Sequence, residues 1–208
     1  MSHPIQYQAP LLRRIASEPH IALRVLFERL APEHRYYDEG FKQQIKWDVP
    51  LTEGYDFAAF QDINMEREIA ACDVLWLHGW QSPAFRKALR LAQKHTKPVL
   101  MRGENCALAM PDDAGIRGWL KRFYLANIFS RCTAFLAIGS LNAAYYKDHG
   151  IESFRIFSMP YAVDNDTFRD AATHARQNKE VLKSRLGIPA SAPVVLYSGK
   201  LSRRKRPD

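Results

Sequence analysis

The chain has 208 residues, of which 47% are hydrophobic and 12% aromatic, the composition of a folded protein with one sizeable core. Its formal net charge is +8, and five of its cations lie in the last nine residues, so the rest of the chain is only mildly basic. This distribution argues against a nucleic-acid-binding surface over the whole domain and favours local anion sites.

The cysteines and the lengths of the apolar runs indicate the cellular compartment of the protein. Cys72, Cys106 and Cys132 are widely spaced and form no CxxC pattern, so they resemble small buried side chains in a reducing compartment. No apolar run approaches the roughly 20 residues that cross a bilayer, and no signal-peptide pattern precedes the first turn. We expect a cytoplasmic protein, at most peripheral to a membrane.

Apolar strand patterns alternate with helical patterns at a spacing of about 20 to 35 residues, which is typical of a doubly wound parallel sheet, a Rossmann-like α/β fold. The patterns predict strands over residues 20–28, 73–78, 97–101, 133–138, 154–157 and 194–197. They predict helices over residues 6–16, 64–71, 83–95, 115–131, 141–149 and 170–186.

The helix predicted over residues 115–131 carries several aromatic side chains and four cations. The favoured interpretation is an amphipathic helix that packs on the sheet through Leu120, Phe123, Asn127 and Ile128. Contact of this helix, which carries Trp119, Phe123, Tyr124 and Phe129, with an anionic membrane surface is the alternative.

Polar residues follow the predicted strands, at the ends where parallel sheets bind ligands. They are His78, Arg102, Glu104, Asn105 and Ser140. Glu104 either accepts a hydrogen bond or a proton from a ligand or pairs with Arg102. His78 is either a cleft residue or a core histidine, and Ser140 is best explained as a helix N-cap.

Three familiar signatures are absent. There is no G-x-G-x-x-G, no G-x-x-x-x-G-K-[ST] and no G-x-S-x-G. A classical NAD or FAD site, a standard P-loop and a serine hydrolase are therefore not predicted.

The segment 191–208, SAPVVLYSGKLSRRKRPD, combines the last predicted strand with a Ser198-Gly199 turn and clustered cations. A buried strand that ends in a small-residue turn before cations is half of a phosphate-binding unit. A solvated basic tail is the alternative interpretation.

Residues 194–208 resemble the start of the nucleotide-sugar-binding domain of the family-4 retaining glycosyltransferases, which have the GT-B fold. Residues 2–16 resemble a loop and helix that follow the first strand of some members. Residues 158–168, SMPYAVDNDTF, resemble the connector of the family, with Tyr161-Ala162 where Asn-Gly is commonest.

The resemblance implies a domain division and a set of site residues. Residues 1–168 would form the acceptor-binding domain, the N-terminal half of a GT-B fold, residues 169–190 a connector helix, and residues 191–208 the start of the donor domain. The implied donor-diphosphate residues are Gly199, Lys200 and Lys205. The expected catalytic residues are Glu104 and His78, and the expected acceptor or cleft residues are His3, Gln6, Gln8, Arg102, Asn105 and Asp164.

The family transfers a hexosyl unit from a nucleoside diphosphate sugar to a saccharide or lipid-linked hydroxyl, with retention of configuration, in cell-envelope or exopolysaccharide synthesis. The resemblance implies no metal, no further cofactor and no nucleic-acid partner. Two other classes stay open: a non-catalytic acceptor-binding fragment that lacks the donor domain, and a nucleic-acid protein with a basic tail.

The resemblance also implies that the chain is truncated at both ends, since the first strand of the family would precede Met1. Loss of that strand would leave neighbouring strand edges unpaired, which promotes aggregation. We therefore expect the 208 residues alone to be poorly soluble or molten, and inactive.

Overall fold

The computed structural model describes residues 1–30, 35–38, 42–47, 49–109 and 115–199. Its parallel sheets and intervening helices confirm the predicted Rossmann-like α/β class. The strands are β1 Arg24–Phe27, β2 Arg35–Asp38, β3 Gln43–Lys46, β4 Asp56–Ala59, β5 Leu75–His78, β6 Val99–Arg102, β7 Ala134–Ala137 and β8 Ile156–Ser158. The α-helices are α1 Ala9–Ala16, α2 Met65–Ala71, α3 Pro83–Lys94, α4 Gly115–Phe129, α5 Ser140–Asp148, α6 Asn165–Gln177 and α7 Lys179–Arg185. Short 3-10 helices cover Phe60–Asp62, Ala107–Ala109 and Ser153–Arg155.

The larger sheet contains β5, β6, β7 and β8 in that order, and every neighbouring pair is parallel. Parallel pairing brings the carboxyl ends of the strands to one edge of the sheet. At that edge the last residue of β5, His78, lies in register with the last residue of β6, Arg102. Polar residues 24 positions apart in the sequence are therefore neighbours.

The main core lies between this sheet and the helices that connect its strands. Met101 and Phe135, from the centres of β6 and β7, are almost fully buried. In α3, Ala88, Leu89 and Ala92 are buried, because residues three and four positions apart share one face of a helix. The alternation of buried strands with one-sided helices thus has the packing that the sequence pattern predicts.

A second parallel pair, β1 with β4, forms a separate sheet, and β2 with β3 forms an antiparallel pair. The amino terminus is anchored to β1: the Met1 amino group donates to the Leu26 carbonyl at 2.6 Å, and the Met1 carbonyl accepts from the Glu28 amide at 2.8 Å. In the described part of the chain, β1 has a strand partner only in β4, and β5 only in β6.

The strand predicted over residues 194–197 is wrong. These residues form no strand, and Val195 is 98% exposed. A strand forms when its backbone pairs with a neighbour, and none of the described strands pairs with this segment. Of the predicted donor residues that follow, Lys200 and Lys205 lie outside the described residues.

The helix predicted over residues 170–186 is two helices, α6 and α7, which meet at Asn178. Helix α6 begins at Asn165 because Asp164 caps it, accepting a hydrogen bond from the Thr167 amide at 3.0 Å. Gly187 follows α7 with φ of +67°, the left-handed conformation that commonly ends a helix.

The buried face predicted for the helix over residues 115–131 is also wrong in part. Leu120 and Phe123 are 54% and 67% exposed, whereas Ile128 is buried as expected. Leu125 and Phe129, four positions apart, join Ile128 in the core, so the helix is rotated from the predicted orientation.

A substitution at Phe135 tests the assignment of the hydrophobic core. Its ring lies 5.3 Å from the Phe129 ring and 4.8 Å from the Tyr146 ring, and it is fully buried. We expect Phe135→Ala to lower the free energy of unfolding by about 3–5 kcal/mol, because it removes buried apolar surface and leaves a cavity. Urea denaturation followed by circular dichroism measures the loss. The exposed Phe154→Ala is the control and should stay within about 0.5 kcal/mol; equal losses would contradict the assigned core.

Candidate functional site

A cavity of about 590 Å³ opens at the carboxyl ends of β5 and β6. Glu28, which directly follows β1, and residues of the segment before α1 also line the cavity. Five of the predicted site residues line it, namely Gln8, His78, Arg102, Glu104 and Asn105. The structure therefore brings together residues that the sequence places at the ends of different elements.

Other predicted cleft residues lie elsewhere. His3 and Gln6 are close in sequence to the cavity wall but do not belong to its described lining, and the His3 Nδ1 atom lies 3.0 Å from the Ser2 hydroxyl. Asp164 caps α6 and does not belong to the described cavity lining. Gly199 lies beside the Tyr197 ring, outside this cavity.

Ser140 is not an N-cap, contrary to the prediction. The cap residue of α5 is Gly139, and no side chain of the described residues caps this helix. Asn142, two residues later, makes two side-chain hydrogen bonds. Its side-chain oxygen accepts from the Ile138 amide at 3.1 Å, and its side-chain nitrogen donates to the Asn105 carbonyl at 2.6 Å. The buried Asn142 thus fixes the loop that carries Glu104 and Asn105.

Two further polar side chains of the cavity, Glu28 and Tyr161, were missed by sequence reasoning. Glu28 directly follows β1, and its carboxylate accepts from the Ser82 hydroxyl at 2.5 Å. Ser82 also caps α3, accepting from the Ala84 amide at 3.1 Å. Glu28 is the last residue of the strand predicted over residues 20–28, and this position could have identified it as a candidate cavity residue.

Tyr161 positions the exposed carboxylate of Glu104. The Tyr161 hydroxyl donates a hydrogen bond to Glu104, and the Tyr161 ring packs edge-on against the Tyr7 ring at 5.4 Å. Burial, and next the hydrogen bond to Glu104, raise the pKa of Tyr161, so its hydroxyl stays protonated at neutral pH. Glu104 is therefore held at the cavity opening as an acceptor, and it takes its hydrogen bond from Tyr161 rather than from Arg102.

Arg102 is 3% exposed, although it carries a charge. Its guanidinium carbon lies 4.9 Å from the Tyr161 ring centroid, a cation–π contact. Its Nη2 atom donates to the Met159 carbonyl at 3.5 Å, the long limit of a hydrogen bond. Its Nη1 atom is buried and has no hydrogen-bond partner among the described residues.

His78 is held in its neutral form. Its ring lies 4.5 Å from the Trp76 ring, and its buried Nε2 atom has no hydrogen-bond partner among the described residues. Burial lowers the pKa of His78 to about 3, with smaller contributions from the positive charges of the amino terminus and of Arg102. A neutral imidazole can orient a polar ligand, but it holds no proton to donate as an imidazolium at pH 7.

The described residues contain no group of three or more His, Cys, Asp or Glu side chains that could hold a metal ion. Within the same part of the chain, no helix has the length and apolar character needed to cross a membrane.

The low pKa of His78 predicts how stability depends on pH. An unfolded histidine titrates near pH 6.5 and the folded one near 3, so the unfolded state binds more protons between these values. The His78 contribution to stability should therefore fall as pH drops below 6.5, by up to about 1.4 kcal/mol per pH unit.

Urea unfolding at pH 7 and at pH 5 tests this prediction. We expect His78→Gln to flatten the dependence below pH 6.5, whereas the exposed control His174→Gln should retain it. An unchanged slope in His78→Gln would show that His78 titrates normally.

Comparison with known proteins gives one partial similarity. The chain is 33% identical over 60 residues to a D-inositol 3-phosphate glycosyltransferase of Xylanimonas cellulosilytica. The match covers 29% of this chain and 14% of the length of that protein. No protein-family model matches the chain, and no solved structure matches it significantly. Over this segment, the chain is thus similar to a glycosyltransferase.

Proposed function

We propose that the chain binds the acceptor in a glycosyltransferase, which moves a hexosyl group from a nucleoside diphosphate sugar to a saccharide or lipid-linked hydroxyl. The observation that carries this proposal is the cavity at the carboxyl ends of β5 and β6. Glu104 lines this cavity and accepts a hydrogen bond from the Tyr161 hydroxyl. The partial similarity to a glycosyltransferase supports the reaction class.

The cavity suits a sugar acceptor in size and chemistry. Its volume of about 590 Å³ lies in the usual range for small-molecule sites. Glu28 and Glu104 are hydrogen-bond acceptors for sugar hydroxyls, and the Gln8 side-chain oxygen is buried without a partner among the described residues. Glu104 would accept the proton, or a strengthening hydrogen bond, of the attacking hydroxyl as its oxygen bonds to the anomeric carbon.

The same proposal includes a binding site for the nucleoside diphosphate sugar donor. Gly199, Lys200 and Lys205 would bind the diphosphate, and the two lysines would neutralise the charge that develops on the leaving group. Residues 169–190 would connect the acceptor domain, residues 1–168, to a donor domain that starts at residue 191. The absence of buried residues in α6 supports a connecting role for this region.

A binding role without transfer is the second candidate. It is favoured by the exposure of residues 194–197, none of which forms a strand, because a donor domain of this type would begin with a buried strand. The two candidates share the acceptor cavity and differ in whether a sugar is transferred.

Transfer assays separate the candidates. The full reading frame that contains this chain is incubated with UDP-, GDP- and ADP-linked hexoses and a panel of saccharide acceptors, and product is measured by mass spectrometry. We expect transfer from one donor and a loss of about 10²–10⁴-fold in kcat/KM in Glu104→Gln, because the acceptor hydroxyl loses its base.

The control for this assay is Glu53→Gln, an exposed carboxylate outside the described cavity lining, which should retain activity. Acceptor binding without transfer from any donor would favour the binding role. The absence of both acceptor binding and sugar transfer would overturn the proposal.

Contact with a membrane surface is a further part of the proposal. In α4, Trp119 and Phe123 are exposed and stack at 6.2 Å, with Arg117 and Lys121 on the same helix. Exposed aromatic residues next to cations are suited to the interface of an anionic bilayer. The helix would bring the cavity to a lipid-linked acceptor.

Vesicle sedimentation tests this contact. We expect binding to phosphatidylglycerol vesicles and weaker binding to phosphatidylcholine, and we expect the double variant Trp119→Ala/Phe123→Ala to lose about tenfold in affinity. Phe168→Ala, which removes an exposed ring from α6, is the control. Equal binding by both variants would show that α4 does not carry the contact.

A further inference from the structure

The buried cation of the cavity, Arg102, is not paired with an anion among the residues that the structure describes. A guanidinium has five N–H donors and no acceptor, and burial without partners is costly. The described side chain has one long hydrogen bond to Met159 and the face of the Tyr161 ring, while Nη1 has no partner. The hydrogen-bonding capacity of Arg102 is therefore largely unused in this structure.

The carboxylates of the cavity are hydrogen-bonded to other groups. Glu28 accepts from the Ser82 hydroxyl, and Glu104 accepts from the Tyr161 hydroxyl. Neither carboxylate forms an ion pair with Arg102 among the described residues. Both hydroxyl donors are neutral, so both carboxylates remain available as acceptors for the hydroxyl groups of a ligand.

The other basic groups of the cavity are mostly neutral at pH 7. Burial lowers the pKa of the Met1 amino group to about 5, against the opposing effect of Glu28, and burial lowers that of His78 to about 3. Among the described lining residues, Arg102 is then the one cation that persists at neutral pH. Positive charge in the cavity is concentrated at a single point.

We propose that Arg102 anchors an anionic group of the sugar acceptor, a phosphate monoester or a carboxylate, while Glu28 and Glu104 bind its hydroxyl groups. This inference rests on the proposed acceptor role of the cavity. Guanidinium binds both anions through paired N–H donors, and such charge-assisted bonds are stronger than neutral ones. The acceptor would be a sugar phosphate or a uronic acid rather than a neutral sugar.

Calorimetric titration at low ionic strength tests the anchor. The full reading frame that contains this chain is titrated with glucose 6-phosphate, glucuronate, uncharged glucose and UDP. We expect at least one charged sugar to bind about tenfold or more tightly than glucose, because one charge-assisted pair contributes at least this much.

Variants locate the effect. Arg102→Gln should bind charged and neutral sugars within about twofold of each other, and Arg102→Lys, which keeps the charge without the paired donors, should retain part of the preference. Arg155→Gln is the matched control: Arg155 donates to the Thr133 carbonyl at 3.1 Å, outside the described cavity lining, and its loss should leave the preference intact. Circular dichroism and thermal melting verify that each variant is folded.

Three results would overturn the anchor. One is equal affinity for charged and neutral sugars in the wild-type protein, and another is a preference that survives in folded Arg102→Gln. The third is Arg102-dependent binding of UDP without binding of charged sugars, which would assign the anion to the donor. Sugar transfer from a nucleotide donor in the same preparation would leave the proposed function standing in each case.

Discussion

The parallel pairing of β5 with β6 is the constraint on which the candidate site depends. Its register places His78 beside Arg102, and the loop after β6 carries Glu104 and Asn105 to the same edge. The buried Asn142 then holds this loop through the Asn105 carbonyl. Backbone hydrogen bonds between strands therefore fix the positions of side chains that share no local sequence pattern.

Burial has opposite consequences for two neighbouring groups at this edge. Imidazole can lose its proton, so the buried His78 stays neutral, and its pKa is low. Guanidinium keeps its charge at all ordinary pH values, so the buried Arg102 remains a cation, stabilised in part by the Tyr161 ring. One cavity wall thus has a fixed positive charge beside a neutral ring, and neither Glu28 nor Glu104 is hydrogen-bonded to Arg102 among the described residues.

Sequence patterns predicted the elements of the sheet well where strands are buried and flanked by helices, as for β5, β6 and β7. Residues 194–197 have an equally apolar pattern, yet they form no strand, because pairing requires a neighbouring backbone that composition does not reveal. The orientation of α4 was likewise missed: its aromatic residues lie around most of the helix, so more than one face could have packed on the sheet.

The sequence alone determined the fold class and the idea that polar residues gather at the strand ends, because hydrophobic periodicity and strand–helix alternation are local properties. It also supplied five residues of the cavity, four through their positions after predicted strands and Gln8 through the resemblance of residues 2–16 to a glycosyltransferase segment. Only the tertiary structure decided that the Tyr161 hydroxyl donates to Glu104, that the Ser82 hydroxyl donates to Glu28, and that Arg102 is buried without an anionic partner among the described residues. These are contacts between residues 54 or more positions apart or statements about burial, and both depend on how the elements pack rather than on their own sequences.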